Sequence, residues 1–188
     1  MRDFKVIGLV GLQAAGKTEI AKVFSKFGIP CIRMGDVVVE EVKRRGLEVN
    51  EKSVGEMADE LRKKHGMNII AKLNIPKIES AGKSSRAVVV DGIRGLAEVE
   101  EFRRAFGERF ILCAVLAPAK ARFERITGRR REDDAGSFAE FVKKDGRELG
   151  WGLAEAIALA DVFIVNEGTL EELKEKAEEL YRRIIGEA

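Results

Sequence analysis

Residues 6–24 read "VIGLVGLQAAGKTEIAKVF", an apolar run that stops at Gly11 and a helical pattern that resumes after Gly16, Lys17 and Thr18. Gly, four residues, then Gly-Lys-Thr is the spacing of a phosphate-binding P-loop, and a strand before it and a helix after it supply the context that motif needs. In such a loop the backbone of Gly11, Leu12, Gln13, Ala14, Ala15 and Gly16, together with the helix start, surrounds a phosphate with N–H groups. Lys17 is expected to reach the β and γ oxygens and Thr18 to ligate Mg²⁺. The plain alternative is a glycine-rich turn carrying an exposed lysine.

A P-loop needs a second, acidic contact to its metal, and "VVVDG" at 88–92 supplies one in Asp91. An aspartate after three valines ends a buried strand at the sheet edge where open α/β sheets bind ligands. Asp-Gly also serves as an ordinary strand-ending turn.

Composition sets limits around this motif. The 188 residues suit one domain, 1–188, with a sizeable core, and 45% hydrophobic beside 35% charged residues belongs to a globular chain. A net charge of +2 gives no general pull towards nucleic acid or membrane surfaces. Gln13 is the only glutamine among many charged residues, a balance that leans towards a heat-adapted source. Cys31 and Cys113 have no neighbours at metal-ligand spacing and read as small buried hydrophobes in a reduced, cytoplasmic setting. No stretch has the apolar length to span a bilayer, and "MRDFKVIGLVG" runs into a strand rather than a signal-peptide cleavage site.

Five Val- and Ile-rich runs, "FKVIGLVG", "PCIRM", "AVVVDGI", "FILCAVLA" and "VFIVNEG", mostly lack polar alternation, as strands covered on both faces do. Helical stretches separate them, with capping-box spacing at Ser53–Glu56, Ser137–Glu140 and Thr169–Glu172. The alternation predicts a doubly wound α/β sheet. Two segments exceed a bare alternation. Residues 35–80 hold two or three helices and are expected to form an insertion over a ligand; residues 122–150 form a candidate lid region, where a helix is expected to break at Gly128 into arginines and acids.

The motif alone covers several classes, and no Asn-Lys-x-Asp guanine-reading element is present, which argues against a GTPase. Size and the arginine cluster favour small-molecule kinases, which clamp transition-state charge with their own arginines. The ordered segments "GLQAAGKT", "IRMGDVV", "VVVDGIR", "RFERITGRRREDD" and "ADVFIVNEGTLEEL" resemble an archaeal, uncharacterised P-loop nucleotide-kinase-like family related to adenylate kinase and dephospho-CoA kinase. The resemblance runs over nearly the whole chain. It implies a three-layer P-loop fold with a five-stranded parallel sheet of order 2-3-1-4-5, a helical acceptor-binding insertion and a short lid.

The same resemblance implies site roles. "FERITGRR" is similar to the adenylate-kinase segment whose first arginine stacks on adenine and whose later one reaches the phosphates, which points to Arg125 and Arg129; Arg131 is a further clamp candidate in a lid reduced to a tight turn. Guanidiniums suit γ-phosphoryl charge. The alternative is that Arg129 to Arg131 pair with Glu132, Asp133 and Asp134, acids that also cancel the field a nucleic acid would need. On the acceptor side the Gly35-Asp36 pair matches, but Met34 and Val39 stand where adenylate kinase has a threonine and a phosphate-binding arginine. Arg33 and Arg94 are the substitutes on offer. Asp36 reads either as a base for a hydroxyl acceptor or as a helix N-cap. His65 ends a helical stretch and suits a dipole role; Trp151 reads as packing between lid and core, and residues 166–169 as a loop beside the adenine or, equally, as a simple strand-to-helix turn. The expected function is ATP- and Mg²⁺-dependent phosphoryl transfer to a nucleotide or nucleotide-like small molecule. Alternatives are an ATP- or AMP-binding regulatory module and, more weakly, an enzyme of RNA ends. Acceptor, ATP-against-GTP preference and oligomeric state stay open.

Overall fold

The run Val88-Val89-Val90, fully buried, becomes the second-from-edge strand of a parallel sheet, where no side chain meets water on either face. In this computed structural model, residues 4–129 and 137–186 are described, the side chains of Glu51 and Arg129 excepted. Strands β1 (Lys5–Val10), β2 (Cys31–Arg33), β3 (Ala87–Ile93), β4 (Phe110–Leu116) and β5 (Val162–Val165) lie in the order β2-β3-β1-β4-β5, all parallel. The five apolar runs and their expected order are therefore the observed ones.

The strands other than β5 feed two cores, whereas β5 feeds one and leaves Phe163 and Val165 exposed. From β1, Val6 and Val10 point into one cluster and Ile7 and Leu9 into the other, all fully buried, which is why the run shows no polar alternation. One face is covered by α1 (Lys17–Lys26) and α9 (Leu170–Ile185), locked by Phe24 and Phe27 against Tyr181. The other carries α2 (Asp36–Arg44), α3 (Glu51–His65), α4 (Ile69–Gly82), α5 (Leu96–Phe106) and α8 (Ala154–Ala158). Helices α6 (Ala119–Arg129) and α7 (Phe138–Glu148) bracket residues 130–136, and a kinked segment, Leu149–Leu153, with Gly152 at φ 86°, joins α7 to α8. Among the described residues no helix is long and apolar enough to cross a membrane.

Three local readings need correction. Asn50, not Ser53, caps α3: Asn50 is extended, its side chain accepts from the Ser53 N–H, and the Ser53 hydroxyl accepts from the Asn50 N–H. Helix α6 runs through Gly128 to Arg129, and the expected cluster of arginines and acids after it lies outside the described residues. The N-cap of α2 is Gly35, with Asp36 one residue inside, so Asp36 is not the cap. The box at Thr169 and Glu172 is present in both directions, and Ser137 accepts from the Glu140 N–H.

Candidate active site

The loop between β1 and α1 takes its shape from two glycines. Gly11 has φ 150° and a Cβ there would run into the Val115 carbonyl oxygen; Gly16 has φ 115° and a Cβ would lie 2.5 Å from Asn166 Nδ2. Between them Ala14 sits at φ 56°, a left-handed conformation that costs a non-glycine residue about 1–2 kcal/mol. Gly16 provides no side-chain cap to α1, so the first N–H groups of that helix are left for an anion. Lys17 folds back over the loop, donating from Nζ to the Gly11 and Leu12 carbonyls at 2.5 and 3.0 Å. Burial pushes its pKa below the usual lysine value, and the carboxylates of Asp91 and Glu148 oppose that shift.

Asp91 reaches the same place from β3. Its strand stays in register with β1 up to the Leu9–Asp91 pair and then shifts, so that Gly92 (φ 99°) is an extra residue before Ile93 meets Val10. Bulges of this kind re-aim side chains beside sites. The Thr18 hydroxyl donates to Asp91 Oδ2 at 3.5 Å. Two cis ligands of an octahedral Mg²⁺ stand about 3 Å apart, so the hydroxyl and the carboxylate, both hard oxygen donors, fit that ion. Burial raises the Asp91 pKa, against the pull of Lys17 and Thr18.

A cavity of about 420 Å³ opens beside the loop, lined by residues 14–19, Arg125, Asn166, Gly168, Leu170 and Leu173. Arg125 donates to the Ala14 carbonyl at 3.3 Å and to the Asn166 carbonyl and side-chain oxygen at 3.1 and 3.2 Å. Buried Asn166 donates in turn to the Ala15 carbonyl at 2.8 Å. Arg125 thus stands at this cavity with its guanidinium fixed edge-on to the loop.

The acceptor-side residues are more scattered. Arg33 and Asp36 form an exposed pair at 3.3 Å next to Gly35. Met34 is buried, its N–H bound to the Asp91 carbonyl and its carbonyl accepting from buried Asn74. Arg94, half exposed, donates from Nη1 to Glu148 Oε1 at 2.8 Å, while its N–H donates to Glu98. Arg129 ends α6 with its side chain outside the description, and Arg131 and the expected lid turn lie outside the described residues.

Comparison with known proteins gives the family and the fold. The family described as "AAA domain" matches residues 10–140. The UPF0200/UPF0201 protein of Archaeoglobus fulgidus is 46% identical over 97% of this chain, which spans 56% of that relative's length. The UPF0200 protein of Methanosarcina barkeri is 47% identical over 94% of both chains. The chain belongs to the UPF0200 family. Its fold is that of P-loop kinases: the dephospho-CoA kinase of Campylobacter jejuni superposes with a TM-score of 0.64 at 12% identity, over 96% of either chain.

Sequence reasoning missed a buried network in this UPF0200 chain. Arg122, 4% exposed, grips Asp145 with two nitrogens at 3.0 and 2.7 Å, donates to the Ala117 and Gln13 carbonyls, and lies 4.8 Å over the Phe141 ring. The Gln13 side chain donates to the same Asp145 at 3.1 Å and to the Phe141 carbonyl. The one available signal was the spacing of Asp145 and Glu148, three apart on one helical face in a segment otherwise dense with cations. Trp151 also differs from a simple packing residue: Arg62, Arg94 and Arg147 stand 5.3, 5.8 and 5.6 Å from its ring.

Proposed function

We propose that this protein transfers the γ-phosphoryl group of ATP to a nucleotide or nucleotide-like small molecule, of the nucleoside monophosphate or dephospho-CoA type, in the cytoplasm. The observation that carries the reading is the convergence of Lys17, Thr18 and Asp91 on one uncapped helix start. The loop amides and Lys17 bind the β and γ oxygens, and Arg125 faces the base. Thr18 and Asp91 are the residues that would hold Mg²⁺, which when bound offsets charge on those oxygens. An acceptor oxygen forms the new bond to the γ phosphorus as the bridging oxygen leaves with ADP. A hydroxyl acceptor must also lose a proton, for which Asp36 is the candidate base; a phosphate acceptor needs none. Arg33, Gly35, Asp36 and Arg94 form the acceptor side, residues 35–80 its helical insertion, and Arg129 with Arg131 the charge clamp drawn from the family resemblance.

A second reading, an ATP- or AMP-binding regulatory module, draws on Met34, which is spent on packing, and on Arg33 and Arg94, which are engaged by Asp36 and Glu148. ADP release measured against nucleoside monophosphates and dephospho-CoA separates the two. Acceptor-stimulated turnover, lost in Lys17→Ala, is the expected result. Nucleotide binding without turnover on any of these acceptors favours the module, and an unchanged rate in Lys17→Ala removes the P-loop assignment.

A further inference from the structure

Helix α7 touches the donor side and the acceptor side at once. At Asp145 its carboxylate is bonded to the Gln13 side chain at the crest of the phosphate loop and to Arg122, whose Nη1 also reaches the Gln13 carbonyl. One turn later Glu148 accepts from Arg94, the residue that follows β3 three positions after Asp91. Asp145 and Glu148 are both buried, and spacing of three puts them on one face. The chain then enters the kinked segment Leu149–Leu153, where Gly152 leaves the helical conformation at φ 86°. That segment presses on the acceptor edge: a Cβ at Gly95 would run into the Trp151 carbonyl oxygen, so the two backbones are in contact beside Arg94. Lys17 lies within the field of Asp91, Glu148, Arg94 and Arg122, each acting on its charge.

We propose that Asp145 and Glu148 are positioning residues through which the phosphate loop sets the side chain of Arg94. This rests on the nucleotide reading above. A phosphate in the loop draws the Gln13 backbone and Lys17 towards itself, and Gln13 and Arg122 transmit that displacement to Asp145. Because a helix moves as a unit, Glu148 moves with Asp145. Arg94 then exchanges its carboxylate partner for the anionic ligand, so donor occupancy prepares the acceptor edge. The neutral alternative, in which the two carboxylates only hold α7 in place, predicts no response at Arg94.

Trp151 is the single tryptophan and lies against Arg94 as well as Arg62 and Arg147, so its emission reports the junction of α7 with the acceptor edge. The experiment titrates the full chain with Mg²⁺ and a non-hydrolysable ATP analogue, following occupancy by calorimetry and Trp151 fluorescence in parallel. The wild-type emission is expected to shift on saturation, and Asp145→Asn and Glu148→Gln, each read at its own saturating concentration, are expected to lose most of that shift. Glu148→Gln keeps the test decisive if Asp145→Asn does not fold. Retention of the full shift by a saturated variant overturns the proposal. Binding to the wild type with no shift overturns the proposal alone, whereas no binding overturns the nucleotide reading with it.

Discussion

Gly16 bears on both the loop and the cavity beside it. A methyl group there meets Asn166 Nδ2 and Leu173 Cδ2 while holding φ 115°. Gly16→Ala therefore displaces Asn166, and with it the bonds to Ala15 and Arg125. We expect a loss of stability of about 1–3 kcal/mol in urea unfolding and a larger loss of ATP affinity. The same arrangement sets a pH window for binding. Asp91 must be ionised to hold a metal, and its raised pKa means that Mg²⁺-dependent affinity falls, as pH drops, at a pH above the 3.8 of an ordinary aspartate. Lys17 must be charged to hold phosphate, and its lowered pKa ends binding, as pH rises, below the ordinary 10.5. Calorimetric titrations across pH should show this narrowed range, and Asp91→Asn should remove its acid limb. The sign for ligand-free stability is opposite: a carboxyl with a raised folded pKa costs stability when ionised, and that cost is relieved as pH falls through the folded value.

At the scale of elements, the cap of α3 separates what pattern and geometry each decide. Asn50-x-x-Ser53 and Ser53-x-x-Glu56 are both cap-like spacings, and only the extended backbone at Asn50 (φ −145°, ψ 171°) selects the first. Asn50→Ala should cost about 1 kcal/mol. Exposed Glu56→Gln should stay within about 0.5 kcal/mol in the same unfolding assay, and the reverse order would return the cap to Ser53. The Arg122–Asp145 pair was illegible for a different reason. Its partners are 23 residues apart on two helices, and nothing in a charge-rich sequence distinguishes a buried pair from solvated ones. Asp145→Ala leaves a guanidinium 4% exposed without its carboxylate and should destabilise by about 3–5 kcal/mol. Replacing both partners with apolar residues should recover much of that, because the desolvated charge is gone.

Across the whole molecule, the features written in the sequence are those that arise within one element: the five apolar runs, the β1–loop–α1 motif and the aspartate ending β3. Their order in the sheet came through the family resemblance and agrees with the structure. Features that depend on which helices meet, such as Arg94 against Glu148 or Trp151 among three arginines, needed coordinates. The inner strands of the sheet are covered on both faces while the cavity at its carboxyl edge is open, so a bound nucleotide adds contacts to a core already formed. Ligand binding to the folded form alone then acts by mass action, adding about 2.7 kcal/mol at a hundredfold excess over Kd. For a chain of 188 residues that raises Tm by about 5–10 °C. Thermal unfolding with Mg²⁺ and ATP should show this rise, and Lys17→Ala, folded but unable to hold the phosphates, should show almost none. An equal rise in Lys17→Ala would remove Lys17 from the phosphate contacts, leaving the loop amides and Arg125 as the groups of that cavity that hold ATP.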